Sequence, residues 1–447
     1  MNTLCTSMHM TKERLINMKI FSIPRATSPL RYWLYYLEHL QNQNIEPGLK
    51  RVKKVAKRLD LLKTARTIFT VAGTNGKGTT CSILEGVLLA AGYRVGVYSS
   101  PHLLRYTERV RIQGKELKEA DHSYSFAILE KGRSDISLTY FEYSTLSALY
   151  LFQQSDLDVI ILEVGIGGRL DATNIIDPSV AIVTSIALDH TALLGFDRES
   201  IGREKAGIFR AGIPAIIGDP DMPDTMRKVA TEKGATLYRR RIEWDFSTNN
   251  QEWIWHSACT TWSHLPLPQV PLPNAATALA ALNYSNINID EKAIIHGLVS
   301  TFLPGRFQVI NTEPLLILDV AHNPDAAKYL AGRLREFINN RLNKKIQPGC
   351  LRAVVSMLAS KDVSGMIEYM KPLIHYWYCA PLKEPYGASI ELLTKYLDKP
   401  NIFKNVKKAW IEAMKDATPQ DIIIVYGSFQ TVASVMEALN KEDASDK

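Results

Sequence analysis

Apolar residues first fall at helical spacing. After Ser28-Pro29, Leu30, Trp33, Leu34 and Leu37 lie three or four residues apart, and Leu49, Val52, Val55, Leu59 and Leu62 form a second stripe with Lys50, Lys53, Lys54, Lys57 and Arg58 on the remaining surface. The spacing predicts helices over 30–40 and 49–62. From Ile68 the rhythm becomes short apolar run, glycine turn, amphipathic segment: Ile68–Ala72, Thr79–Ala91, Val95–Tyr98, with further runs at Val159–Val164, Val180–Ile186 and Ala215–Gly218. Buried strands separated by helical crossovers predict a parallel sheet. Residues 237–270 break this rhythm with Trp, Pro and polar residues and predict a β-rich excursion, followed by helices at Asn274–Leu282 and Asp290–Val299. After Leu303-Pro-Gly-Arg306 the βα pattern restarts at Leu315–Val320, Ala326–Phe337, Ala353–Met357, His375–Cys379 and Ile422–Tyr426. The expected class is α/β in two domains, 25–303 and a smaller Rossmann-like 304–447, with residues 1–24 a disordered, methionine-rich extension.

Composition narrows the partners. The chain has 447 residues, 53 Lys and Arg against 46 Asp and Glu, and a net charge of +7. Met1 to Arg66 alone carries 13 basic and 4 acidic residues, so the remaining 381 are net −2 and offer no protein-wide field for nucleic acid. The basic 50–66 helix lacks an aromatic stacking platform and reads as a solvated face. Cys5, Cys81, Cys259, Cys350 and Cys379 form no CxxC pair, which argues against a zinc module or disulfide framework and for a reducing compartment. No apolar run reaches membrane-spanning length, and the N-terminus lacks the apolar core of a signal peptide. A cytoplasmic protein without membrane or nucleic-acid partners is expected.

The sharpest chemical signal is Gly73-Thr-Asn-Gly-Lys-Gly-Thr79 between a strand and a helix. There, backbone N–H groups at a helix N-terminus converge on phosphate oxygens, Lys77 adds charge and Thr79 a hydroxyl. The spacing departs from the common GxxxxGK[ST] loop because Gly78 separates lysine from threonine. Glu163 ends an apolar strand and is followed by Gly165, Gly167, Gly168 and Asp171; a carboxylate there suits a hard Mg²⁺ ion. His190 follows another buried strand, where a lone histidine reads as an ordinary polar residue. By pattern alone Lys205 is a surface helix lysine.

Four segments in order, Gly73–Thr79, Ser99-Ser-Pro-His-Leu103, Leu162–Asp171 and Asp319-Val-Ala-His-Asn-Pro324, resemble the folylpolyglutamate synthase family of the Mur ligase superfamily, closest to the bacterial bifunctional form that is also a dihydrofolate synthase. The resemblance spans roughly residues 28 to 440, and Met18 matches the family's usual start. It implies an ATP-dependent ligase that adds L-glutamate to dihydropteroate and to folyl-glutamates through an acyl phosphate, working as a monomer, with a monofunctional folylpolyglutamate synthase as the alternative. By the same resemblance Thr74, Asn75, Gly76, Lys77, Thr79, Asn274, Arg306 and Asp319 hold ATP; Ser100, Glu163 and His190 hold Mg²⁺ at two sites; and Lys205 is carbamylated, with Lys77, Glu163, His190 and Lys205 as the catalytic set. Ile45, Glu46, Pro47, Thr139, Tyr140, Phe141, Glu142, Leu170, Asp171 and Ala172 surround the pterin substrate, His322 helps bind glutamate, and K⁺ is a candidate further cation. Val320 stands where glycine is common in the wider family. Two other readings compete: a GTP switch, whose guanine motif Asn440-Lys-Glu-Asp443 mimics in a tail expected beyond the last helix, and a cell-wall precursor ligase, which Thr139–Glu142 and Asp171 disfavour.

Overall fold

The computed structural model describes residues 23–40, 48–63, 65–249, 251–310, 313–347, 349–382 and 386–445. The expected N-terminal extension up to residue 22, and Ile45, Glu46 and Pro47, lie outside these residues. Among the described residues three sheets form. The first comprises β1 (Thr67–Ala72), β2 (Val95–Tyr98), β3 (Val110–Ile112), β4 (Lys115–Glu116), β5 (Val159–Glu163), β6 (Val180–Val183), β7 (Pro214–Ile217) and β8 (Thr236–Arg239), in spatial order β4-β3-β2-β5-β1-β6-β7-β8. All its pairings are parallel except β2–β3 and β3–β4. Its central strands are buried on both faces, as the continuous apolar runs require.

Register positions the site. Val71 pairs with Glu163 and Ala72 with Val183, so the chain leaves β1, β5 and β6 at one carboxyl edge, where such sheets bind ligands. The predicted strand 180–186 ends three residues early: Thr184 and Ser185 turn their hydroxyls to the Asn75 carbonyl at 2.6 and 3.1 Å instead of extending the ladder.

The excursion is an antiparallel meander, β9 (Trp244–Thr248), β10 (Glu252–Ser257) and β11 (Thr261–Pro266), burying Trp244, Trp253 and Trp255 in the core under the phosphate-loop helix. The helix after it spans Leu272–Asn283, beginning inside the proline run because Pro273 occupies its first turn, where a missing N–H costs nothing. No apolar stripe marks residues 119–153, yet helices Glu119–Arg133 and Tyr140–Gln153 form there. Buried hydroxyls interrupt the pattern and satisfy one another, Ser125 with Ser147 and Tyr106 with Ser144. The basic helix is shorter than predicted, Lys50–Arg58. Its Arg51 pairs with Glu142 at 3.0 Å, and its Arg58 donates to the carbonyl of Gly132 at the end of the 119–133 helix.

The third sheet comprises β12 (Gln308–Ile310), β13 (Leu315–Leu318), β14 (Leu351–Val355), β15 (Tyr376–Cys379), β16 (Asn401–Ile402) and β17 (Ile422–Tyr426), ordered β12-β13-β17-β14-β15-β16. Only β12 is antiparallel. The Asn440–Asp443 stretch lies within the last helix, Phe429–Ser445, rather than beyond it: Val432, Val435 and Ala438 carry a buried stripe that continues the helix through it. No helix among the described residues is long and apolar enough to cross a membrane.

Candidate active site

Carboxyl-edge loops of the first and third sheets enclose a cavity of about 1050 Å³, lined by residues 73–79, Ser100, Glu163, His190, Lys205, Asn274, Arg306, Asp319 and His322 among others. The phosphate loop is built for it. Gly76 caps the Lys77–Ala90 helix at φ +86°, where a Cβ would strike the Asn274 side chain. The loop is also pinned from β6: Thr74 N–H donates to Ser185 O at 2.8 Å, and Asn75 N–H to Ser185 Oγ at 3.0 Å. Lys77 Nζ folds back onto the carbonyls of Gly73 and Thr74 at 3.1 and 3.2 Å. Burial draws the Lys77 ammonium below its ordinary pKa, opposed by Glu163 and Asp189.

Glu163 is 4% exposed and accepts the Ser100 N–H at 3.1 Å. Burial pushes its carboxyl up, against the charge of Lys77. The Ser100 turn is braced in turn by Arg111, which donates to Ser99 Oγ at 3.2 Å and pairs with buried Glu85 of the phosphate-loop helix at 2.7 Å. Among the described residues no group of three or more His, Cys, Asp or Glu side chains makes a metal cage by itself. One buried carboxylate beside a phosphate loop fits Mg²⁺, an ion that keeps waters and takes substrate phosphates as ligands. His190, at the cavity mouth, is drawn down to about 4 chiefly by burial, so its imidazole is neutral with a free lone pair.

Lys205 is not on the surface. It is 4% exposed, and its Nζ donates to Gly73 O at 2.8 Å, the carbonyl that also receives Lys77. Among the described residues no carboxylate pairs with it. Burial first, and the Lys77 charge second, lower its pKa to about 7. Across the cavity Arg306 stacks over Phe429 at 5.0 Å, and Asp319 accepts N–H bonds from Phe307 and Ala321, both at 2.8 Å. Val320 fits without a glycine backbone: it is absent from the positive-φ residues, is buried, and donates its N–H to Gly305 O at 2.9 Å.

Residues 71–260 match the Mur ligase middle domain and residues 305–429 the Mur ligase glutamate ligase domain. The dihydrofolate synthase/folylpolyglutamate synthase of Escherichia coli K12 is 56% identical over 424 residues, 95% of this chain and 99% of that protein. The chain belongs to the dihydrofolate synthase/folylpolyglutamate synthase family. An Escherichia coli family structure in complex with DHPP and ADP superposes with a TM-score of 0.91 at 56% identity, covering 94% of this chain and all of that one. Another family structure, with Mn, AMPPNP and L-glutamate bound, gives 0.89 at 60% identity over the same shares.

Within this family member the residues expected around the pterin divide. Phe141 lines the cavity beside Gly165. Thr139 and Glu142 form a reciprocal helix cap, Thr139 N–H to Glu142 Oε2 at 2.8 Å and Glu142 N–H to Thr139 Oγ1 at 3.1 Å. Asp171 is buried and accepts from the N–H groups of Gly165, Ile166 and Thr173 and from the Thr173 hydroxyl, so its carboxylate braces the turn after β5. Tyr140 stands over Tyr106 at 6.4 Å, Leu170 is exposed and Ala172 buried. The Asn75 side chain crosses the cleft to Asn323 and Asp325. Sequence reasoning named neither Asp189 nor Lys361, which meet there at 2.6 Å; a charged residue just past a strand in each domain was the only local signal. It also missed Arg109, a buried cation over the Tyr106 and Tyr140 rings that donates to His102 Nδ1 at 2.9 Å.

Proposed function

We propose that this protein is an ATP-dependent carboxylate–amine ligase that adds L-glutamate to dihydropteroate, giving dihydrofolate, and to folyl-glutamates, giving folylpolyglutamates. One observation carries the reading: a phosphate loop, a buried carboxylate and a buried lysine converge where two domains meet, in a chain aligned over nearly its whole length with enzymes named for both activities.

A carboxylate is a poor electrophile. The acceptor's carboxylate oxygen attacks the γ-phosphorus of ATP, the bond to the β,γ-bridging oxygen breaks, and ADP leaves an acyl phosphate behind. Gly76 and the first turn of the helix offer backbone N–H groups, with Lys77 and Thr79, to the phosphates, where they offset developing charge, while Thr74 and Asn75 give their N–H groups to Ser185 and set the shape of the loop. Asn274, Arg306 and Asp319 hold the rest of the nucleotide. Glu163, Ser100 and His190 would hold the divalent ions, which when bound add positive charge at the phosphates. The amine of L-glutamate then attacks the activated carbonyl, a proton is lost, and inorganic phosphate departs. His322, on the C-terminal domain's side of the cavity, would help bind the amino acid, and the two-domain cleft would keep water from the acyl phosphate.

Lys205 suits carbamylation. At a pKa of about 7 a substantial share of the amine is neutral near physiological pH, and a neutral amine adds CO₂ with loss of one proton. The resulting anion would sit beside Lys77, whose positive charge it would offset.

The test is direct. Purified protein with ATP, Mg²⁺ and L-glutamate is offered dihydropteroate or tetrahydrofolate separately, and ADP and product mass are recorded. A glutamyl mass gain on each acceptor is expected; no gain on either refutes the ligase reading, and a gain on tetrahydrofolate alone makes the enzyme monofunctional.

A further inference from the structure

Asp189, on the loop after β6, is held by the other domain. Its Oδ1 lies 2.6 Å from Lys361 Nζ and also accepts the His190 N–H at 2.8 Å; its Oδ2 accepts Asn323 Nδ2 at 3.1 Å and lies 3.6 Å from His322 Nε2. The two partners of the ion pair are 8% and 6% exposed at their side chains, although each belongs to a loop at a sheet edge. His322 is oriented from behind: the Val320 carbonyl can only accept, so Nδ1 carries the hydrogen of their 2.9 Å bond and Nε2 faces Asp189.

A second contact lies alongside. Asn75 of the phosphate loop and Asn323 form a reciprocal amide pair, Nδ2 to Oδ1 at 3.1 and 2.9 Å, and Asn323 Oδ1 also caps the Pro324–Asn343 helix by accepting from Ala326 N–H. Asn323 therefore bonds at once to the phosphate loop, to Asp189 and to its own helix. A buried ion pair adds little net stability, but breaking one leaves a desolvated charge. Such a pair between domains acts on register.

We infer that Asp189 and Lys361 are positioning residues for the second half-reaction: their pair holds the C-terminal domain in register with the phosphate loop, so that the amine reaches the acyl phosphate before water does. The inference rests on the ligase reading above. Both outcomes at the acyl phosphate release inorganic phosphate; aminolysis leaves the amide, and hydrolysis returns the free carboxylate, so lost register appears as ADP formed without product.

The experiment compares full-length wild type with Asp189→Asn, Lys361→Met, Lys361→Arg and the Asp189→Asn/Lys361→Met double variant. ADP released per amide formed, ATP affinity by calorimetry and thermal melting are measured. Wild type should release one ADP per amide. Asp189→Asn and Lys361→Met should keep ATP affinity and the ADP rate within about threefold while amide per ADP falls about tenfold or more, the scale expected of a misplaced reactant. Lys361→Arg should restore coupling, and the double variant should be no worse than the poorer single, because both act through one contact. Since Lys361 lies in the other domain, its variants decide the matter if Asp189→Asn fails to fold. A ratio that stays at one, a parallel loss of ATP affinity, or a raised KM for glutamate alone overturns the inference. Wild type that forms no amide overturns the ligase reading together with it.

Discussion

Replacing Lys205 with methionine should abolish ligation and yet stabilise the unliganded protein. The side chain is 4% exposed, has the Gly73 carbonyl as its acceptor, and shares that carbonyl with Lys77. Its pKa falls from 10.5 to about 7 on folding, chiefly through burial. At about 1.4 kcal/mol per unit, the charged form is disfavoured in the fold by at most roughly 5 kcal/mol. Methionine keeps the length and removes the charge but loses the hydrogen bond, worth about 1 kcal/mol, and leaves the carbonyl to Lys77. A net gain of about 1–3 kcal/mol is expected. The sign with pH is fixed by linkage. Below pH 7 lysine is protonated in both states and the penalty is full. Between 7 and 10.5 the unfolded chain binds the proton that the folded chain has released, so wild-type stability rises with pH and the variant's advantage shrinks. The assay is urea unfolding at pH 6 and pH 8.5 in CO₂-free buffer, read at the first transition because two domains need not unfold together. A variant no more stable than wild type at pH 6, or a difference independent of pH, would refute the reasoning; near-normal turnover would remove Lys205 from the mechanism.

Arg111→Met leaves Glu85 buried and unpaired and should lower stability by about 3–5 kcal/mol, while Arg111→Met/Glu85→Met regains most of it; equal midpoints for the single and double variants in urea would count against this. The same single change frees the Ser99–Ser100 turn, so the Mg²⁺ concentration for half-maximal ADP formation should rise. Asp171→Ala removes a carboxylate that accepts four hydrogen bonds; pterin KM should rise at least about tenfold with ATP affinity unchanged, and equal loss of both would make the residue purely structural. His122 is fully buried with neither ring nitrogen hydrogen-bonded among the described residues, and burial draws its pKa to about 4 from 6.5. The unfolded chain therefore takes up a proton first as pH falls from 6.5 to 4, and wild type should lose stability over that window more steeply than His122→Leu; parallel denaturation profiles would refute it.

Elements with local causes were legible in the sequence. Continuous apolar runs mark β1, β5 and β6 because those strands are buried on both faces, and Gly76 and Lys77 announce the phosphate loop because only a tight turn into a helix needs them in that order. The helices at 119–133 and 140–153 were not legible. Their buried faces carry Ser125, Ser144, Thr145 and Ser147, whose hydroxyls are satisfied by partners on other elements or a turn away on the same helix, so no apolar stripe reports them.

The same distinction separates the parts of the site. Glu163 could be read at a strand end, but the state of Lys205 could not: its helix sequence, Arg198–Lys205, is mostly charged and looks solvated. The acceptor that receives the buried lysine is the Gly73 carbonyl, 132 residues away. Asn75 is a second such long-range contact. A loop of this kind binds phosphate through backbone N–H groups, which leaves the Asn75 side chain free to reach Asn323, 248 residues on. Side chains on a phosphate loop are thus available for domain contact because the backbone already performs the binding. Local motif reading overlooks such contacts wherever both partners also have a plausible local role.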